Sequence, residues 1–271
     1  MQPSGSGRSY APEVATTFDY RRQALTYDRT RAASPSVLAP LAAALGPGGA
    51  LLDVGGGTGN YSVALRDRGW RPVVADRSPE MLERARAKGL AALRADASRL
   101  PLPDAAVDAV ALVSMLHHVP DWPDALAEAR RVVRPGGCVA LVAFGREHLD
   151  VHWLTRYLPT AAAHFASTHQ RLDELVAALP GARVTPLLYT DVVDGSMAAL
   201  CRRPELLVDP DVARQTSFVE WAEDHAPGEL VAGRARLRSD LAAGLRPQDD
   251  DPGRRARLGD ASLVTWRRPP P

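Results

Sequence analysis

Cysteine is scarce in this 271-residue chain: Cys138 and Cys201 lie far apart and neither belongs to a CxxC pair. That spacing excludes a disulfide framework and fits a reducing compartment. Lysine is rarer still, Lys88 being the only one, so the basic charge is arginine. No charge sign dominates. With 33 Lys+Arg against 32 Asp+Glu, the formal net charge of +1 offers no global attraction to nucleic acid or anionic lipid. No apolar run approaches the roughly 20 residues of a membrane span. No basic stretch followed by an apolar one marks a secretory leader. The expectation is a soluble, cytoplasmic protein with neither nucleic acid nor membrane as partner.

Hydrophobic residues at 45% and charged residues at 24% suffice for a sizeable core. Residues 1–12, rich in Ser, Gly and Pro, read as disordered. Residues 13–46 read as N-terminal cap helices, the last with Ser34 as cap and Pro35 at its first position. A regular alternation then begins. Apolar strands are expected at 50–54, 72–75, 90–95, 107–113 and 138–144, with helices at 60–68, 79–88 and 121–133 between them. Such alternation implies a doubly wound α/β fold whose parallel sheet is covered on both faces. After Phe144 the rhythm breaks. Helices are expected at 149–165, 171–179, 197–207, 218–223 and 229–245, strands at 183–189 and 261–266, and a charged loop at 249–257. The divisions are a core at 47–145, a lid or substrate insertion at 146–215 containing a sixth strand, and a closing segment at 216–271.

The chemistry concentrates at strand ends. Leu51-Leu52-Asp53-Val54-Gly55-Gly56-Gly57-Thr58-Gly59-Asn60 sits on a strand-to-helix turn. Its glycines let a ligand approach the backbone, and the helix after it offers free N–H groups. A dinucleotide fingerprint, G-x-G-x-x-G, fails because Asn60 or Ser62 falls where its third glycine belongs. Asp53, facing the turn, suits an ammonium group better than a pyrophosphate. Asp76 ends the second strand, 23 residues after Asp53, where a carboxylate can accept both ribose hydroxyls. Asp96 follows the third strand and can meet an adenine amino group.

Asp53-Val54-Gly55-Gly56-Gly57-Thr58-Gly59 resembles motif I of the class I S-adenosylmethionine-dependent methyltransferases. Asp76, Asp96, Leu112-Val113-Ser114 and Val132-Val133-Arg134-Pro135-Gly136-Gly137 follow in that family's order. Leu116-His117-His118-Val119-Pro120-Asp121 is similar to the L-H-H-M-P-D run of its small-molecule and natural-product members. The resemblance covers residues 51–144. It implies a Rossmann-like, mostly parallel seven-stranded sheet with an antiparallel edge strand and a helical lid insertion. It implies S-adenosylmethionine as cofactor, S-adenosylhomocysteine as product, and a small-molecule acceptor methylated on O or N, by a monomer or homodimer. By the same resemblance Gly55, Gly57 and Gly59 pass under the methionine part, with Asp53 and the Ser114 backbone near its amino group. Asp76 holds the ribose, with Arg77 beside it. Asp96 and Ala97 meet the adenine, and Met81 packs on its ring. Tyr27 and Arg31 close over the cofactor.

His117 and His118 are the candidate proton acceptors, because an imidazole titrates near neutral pH. On an extended backbone only one can face the acceptor pocket; His117 is the expected one, with His118 structural or on the cofactor side. The end of the fifth strand, Val142-Ala143-Phe144-Gly145, lacks the acid some relatives place there. His148 and His152 are four apart, a metal-capable spacing, but no H-E-x-x-H accompanies them and no metal is expected. Nucleic-acid methylation is disfavoured, since Ser114-Met115-Leu116-His117 stands where an adenine-N6 enzyme has [N/D]-P-P-[Y/F]. The alternative is a methyltransferase-fold protein that binds S-adenosylmethionine but acts as a cyclase or isomerase, or only binds.

Overall fold

The computed structural model describes residues 32–191, 197–209 and 216–270. Tyr27 and Arg31, and the cap helices expected before residue 32, lie outside the described residues.

Helix α1 (Pro35–Leu45) leads into β1 (Gly49–Val54), followed by α2 (Asn60–Arg66), β2 (Trp70–Asp76), α3 (Pro79–Ala87) and β3 (Ala91–Arg94). Strand β4 (Val107–Val113), a 3-10 turn (Leu116–His118), α4 (Trp122–Val132) and β5 (Val133–Ala143) complete the first half. Helices α5 (Arg146–Leu149), α6 (Leu154–Tyr157), α7 (Pro159–Thr168) and α8 (Leu172–Ala178) then precede β6 (Arg183–Leu187). Beyond it come α9 (Met197–Leu200), α10 (Glu205–Val208), α11 (Ser217–His225), α12 (Pro227–Ala242), α13 (Pro252–Leu258) and β7 (Ala261–Arg267).

The strands form one seven-stranded sheet in the order β3-β2-β1-β4-β5-β7-β6. Pairings from β3 through β5 are parallel; β7 runs antiparallel to both β5 and β6. The antiparallel strand is thus one place in from the edge, and β6 is the edge itself. Strand order reverses beside β1, between β2 and β4, which is where a doubly wound sheet opens a ligand crevice.

The strands' unbroken apolar runs follow from burial on both faces. Leu52 and Val54 of β1 join one core cluster with Leu126 and Ala129 of α4, while Leu51 joins the opposite cluster with Leu38 and Leu41 of α1. A third cluster, separate from the sheet, unites Trp153, Leu154, Tyr157, Phe218, Leu230 and Leu237. It spans the expected boundary at 215/216: helices assigned to the lid and to the closing segment share one apolar core.

Four local expectations need correction. The Arg134-Pro135-Gly136-Gly137 turn does not separate helix from strand. β5 begins at Val133, and a register break opposite Val107 and Ala109 takes up the extra residues. Ser34 is the N-cap residue of α1, but its side chain makes no capping bond; its hydroxyl donates to Asp191, 2.7 Å away, and the Asp191 carboxylate takes the Ser36 N–H at 3.1 Å. A residue 155 positions away therefore fills the cap. The expected long helices at 149–165 and 197–207 are broken into shorter ones: the first at residues 150–153 and again before Pro159, the second between Leu200 and Glu205, with Pro204 opening the later piece. Residues 252–258, expected as loop, form α13, capped by Asp251 Oδ1 accepting from Arg254 N–H at 2.8 Å.

Candidate active site

The cleft opens at the carboxyl ends of β1, β2 and β4. Its lining includes Gly55, Gly57, Asp76, Met81, Asp96 and Ser114, with Arg77, Ala97 and His118 at its margin. Each of the nine was named from the sequence as a candidate, His118 as a structural or cofactor-side residue.

The turn after β1 is held from several sides. Gly55 has φ +65°, and a Cβ there would lie 2.6 Å from Met115 Cε, so only glycine fits beneath that side chain. Gly59, at φ +77°, caps α2, and a Cβ on it would meet Leu90 Cδ1 at 2.3 Å. It lies under the turn and not on the cleft surface. Lys88, the single lysine, donates to Thr58 Oγ1 at 3.0 Å and to Asn60 Oδ1 at 2.5 Å, on either side of Gly59. The residue that spoils the dinucleotide fingerprint thus has a positional task of its own.

Asp76 accepts the Gly57 N–H on Oδ2 at 3.0 Å and the Ser78 N–H on Oδ1 at 2.9 Å. These bonds fix its orientation and still leave lone pairs for further donors. Asp96 Oδ1 accepts from the Ser98 N–H (2.9 Å) and hydroxyl (2.8 Å), which hold its carboxyl below the usual carboxylate range. Met81 is buried, its amide donating to Ser78 Oγ at 3.3 Å, and it lines the same cleft as the two carboxylates as an apolar side chain.

Asp53 sits behind the turn and not on the cleft surface. It is buried; Oδ2 accepts from Ser62 Oγ at 2.7 Å, and Oδ1 has no hydrogen-bond partner. Burial pushes its carboxyl up to about 6. An orphaned, buried acceptor under a glycine turn is what an ammonium group, directly or through water, would satisfy. Ser114 adopts φ +51°, unusual for a residue with a side chain, while its N–H donates to the Val142 carbonyl at 2.9 Å. Such strain at a strand end beside a cleft is typical of ligand-holding backbone.

The two adjacent histidines are not on an extended backbone. They occupy the 3-10 turn after β4, and their rings lie 4.0 Å apart. His118, not His117, reaches the cleft; His117 lines an adjoining groove that shares Arg77, His118, Val119 and Pro120 with it. In that groove His117 stacks on His169, with ring centroids 4.5 Å apart and planes 9° from parallel. His169 Nδ1 lies 2.7 Å from the Phe165 carbonyl, so that nitrogen carries the proton. Burial, reinforced by the neighbouring rings, lowers all three: His118 and His169 to about 4, and His117 well below its ordinary value. All three are neutral at pH 7. His169 and Arg146, also in the groove, carried no local sequence signal; packing of α5 and α7 brings them there.

His148 and His152 hydrogen-bond to the backbone. His148 Nδ1 accepts the Gly145 N–H at 3.0 Å and its Nε2 lies 3.2 Å from the Leu258 carbonyl; His152 Nδ1 accepts the Leu154 N–H at 3.1 Å. Among the described residues no group of His, Cys, Asp or Glu is arranged to hold a metal ion. Nor is any described helix long and apolar enough to cross a membrane.

Residues 52–141 match the family described as "Methyltransferase domain". A malonyl-[acyl-carrier protein] O-methyltransferase of Serratia marcescens is 41% identical over 112 residues, covering 40% of this chain and 44% of that protein. A ubiquinone/menaquinone biosynthesis C-methyltransferase of Acidiphilium cryptum is 35% identical over 148 residues, 48% of this chain and 59% of that one. The chain thus spans about half the length of these relatives. Among solved structures, one described as a methyltransferase from an antibiotic biosynthesis pathway of Anabaena variabilis shares the fold. Its TM-score is 0.70 at 24% identity, over 87% of this chain and 98% of that chain. The [4+2]-cyclase SpnF shares it with a TM-score of 0.52 at 21% identity, over 87% of this chain and 80% of that one.

Proposed function

We propose that the chain, whose residues 52–141 match the methyltransferase-domain family, uses S-adenosylmethionine to methylate an oxygen or nitrogen atom of a small molecule in a biosynthetic role. One observation carries this reading: Asp76, Asp96 and the apolar Met81 line a single cleft beside a glycine turn, with an orphaned carboxylate oxygen beneath that turn. A nucleoside joined to an amino acid has the matching groups. Asp76 would take the ribose hydroxyls, with Arg77 at the rim. Asp96 and the Ala97 backbone would meet the adenine edge. Asp53 and the Ser114 backbone would hold the ammonium group. Tyr27 and Arg31 are assigned to the cover over the cofactor by resemblance alone. When bound, S-adenosylmethionine supplies an electrophilic methyl group on a positively charged sulfur.

The protein's own task is then alignment and exclusion of water. His118, on the cleft, and His117, in the groove, keep a lone pair at pH 7 and can orient an acceptor hydrogen. At about 4, His118 is a weak proton acceptor for a hydroxyl. We assign the histidines to positioning first. Binding of S-adenosylhomocysteine by calorimetry tests the cofactor half of the reading. Release of that product on addition of an acceptor tests the transfer half. The weak basicity of the histidines also favours a second reading, a chain that binds S-adenosylmethionine and acts as a cyclase or isomerase; the SpnF neighbour is itself named a [4+2]-cyclase. In that case an acceptor is converted and no S-adenosylhomocysteine accumulates.

A further inference from the structure

We propose that the groove beside the cleft selects an acceptor bearing a carboxylate, anchored at Arg146 and, on the methyl-transfer reading above, methylated at that ionised oxygen. The groove's charges carry the argument. Arg77, Arg146 and Arg171 line it, against a single carboxylate, Glu174. Arg171 is already balanced: its Nε lies 3.1 Å from Asp173 Oδ1 and its Nη2 lies 3.4 Å from Glu147 Oε1. Glu174 Oε2 is committed to the Arg171 backbone N–H at 2.9 Å. Arg146 opens α5 with its side chain exposed into the groove, and no described carboxylate pairs with it. It is the cation the groove leaves for a ligand, and a guanidinium holds a carboxylate through two parallel hydrogen bonds.

The imidazoles point the same way. A neutral hydroxyl must lose a proton to react. At about 4, His118 and His169 are some six units below a phenol of about 10, a factor of about a million in proton affinity. An ammonium acceptor would face two or three arginines as well as the sulfonium, and like charges repel. A carboxylate needs no base. Its oxygen lone pair forms the new C–O bond, the C–S bond breaks, and that pair stays on sulfur. One anion and one cation become a neutral ester and a neutral thioether, with no proton moved. The stacked His117–His169 pair and Trp122 give the groove flat walls, so an aryl acid is the suitable probe.

The test uses the full chain saturated with S-adenosylhomocysteine, with its histidines labelled with 15N. Phenylacetate and its uncharged isostere phenylacetamide are titrated in turn, and the His117 and His169 resonances followed by NMR. The expected result is saturable shifts with the acid at least about tenfold tighter than with the amide. Arg146→Gln should abolish that preference without changing S-adenosylhomocysteine affinity, and Arg146→Lys should restore part of it. Equal binding of acid and amide, an unchanged preference in R146Q, or no saturation with the acid to about 50 mM would each overturn the proposal. Failure of S-adenosylhomocysteine to bind at all is recorded first and sinks the cofactor reading instead.

Discussion

The cleft and the groove lie side by side yet are built by opposite means. The cleft is made from strand ends within residues 54–121, and its carboxylates are set by backbone N–H groups two to nineteen residues away. The groove joins a turn after β4 to α5, α7 and the start of α8, through side chains that meet only once the helical layer has packed. The cleft is acidic and preorganised; the groove is basic and aromatic. A shared fold can therefore keep one cofactor while its acceptor changes, because only the second region depends on where the insertion's helices come to rest.

Substitutions that disturb only the cleft sharpen this contrast most. Asp76→Ala removes the expected ribose acceptor and orphans the Gly57 and Ser78 N–H groups together. Affinity for S-adenosylhomocysteine should fall about 100-fold by calorimetry, roughly 2.7 kcal/mol, while the fold survives by circular dichroism. Undiminished binding would remove Asp76 from the site.

Asp53→Asn comes next. Its carboxyl is raised by burial, so the folded state holds a proton that the unfolded state gives up between about pH 4 and 6. Wild-type stability is therefore lowered as pH rises through that window, by up to about 3 kcal/mol. D53N should be more stable than wild type at pH 7 by about 1–2 kcal/mol in urea, yet bind S-adenosylhomocysteine more weakly. An ammonium partner would lower the carboxyl's pKa, so wild type should release protons on binding between pH 5 and 6. Calorimetry in two buffers of different ionisation enthalpy reads this, and D53N should release none.

Two glycines separate the regions by cost. Gly59→Ala combines a positive φ with a methyl 2.3 Å from Leu90 Cδ1, and should cost about 2–3 kcal/mol. Gly181→Ala, before β6, has φ +84° in open space and should cost only about 1 kcal/mol. Equal losses in urea melts would show that the turn's tight packing is not what demands Gly59.

How much of this was legible follows the same division. The alternation of apolar runs placed β1 to β5, and aspartates at strand ends marked the cleft, because both signals are local. The β5 start, the Asp191 cap and α13 were not legible, since each depends on a partner far along the chain or on a strong capping residue inside a charged run. The histidine pair was visible, but the backbone under it was misread: a 3-10 turn, not an extended segment, carries His118 to the cofactor cleft and His117 to the adjoining groove. His169 and Arg146 have no neighbours in sequence that announce a site.

The smallest expected effect tests the helical layer alone. Burial depresses His152 to about 3, so below pH 6.5 the unfolded chain binds a proton there that the folded chain refuses. Stability is lost as pH falls, by about 1 kcal/mol at pH 5.5 from this residue. Asp53 contributes with the opposite sign, becoming less costly as pH falls towards its own raised value. His152→Gln should therefore flatten the decline in stability between pH 6.5 and 5.5, and D53N should steepen it. Chemical denaturation at three pH values reads both slopes. If H152Q leaves the slope unchanged, the layer around α5 and α6 takes up the proton without cost, and its interior is wetter than His152's burial indicates.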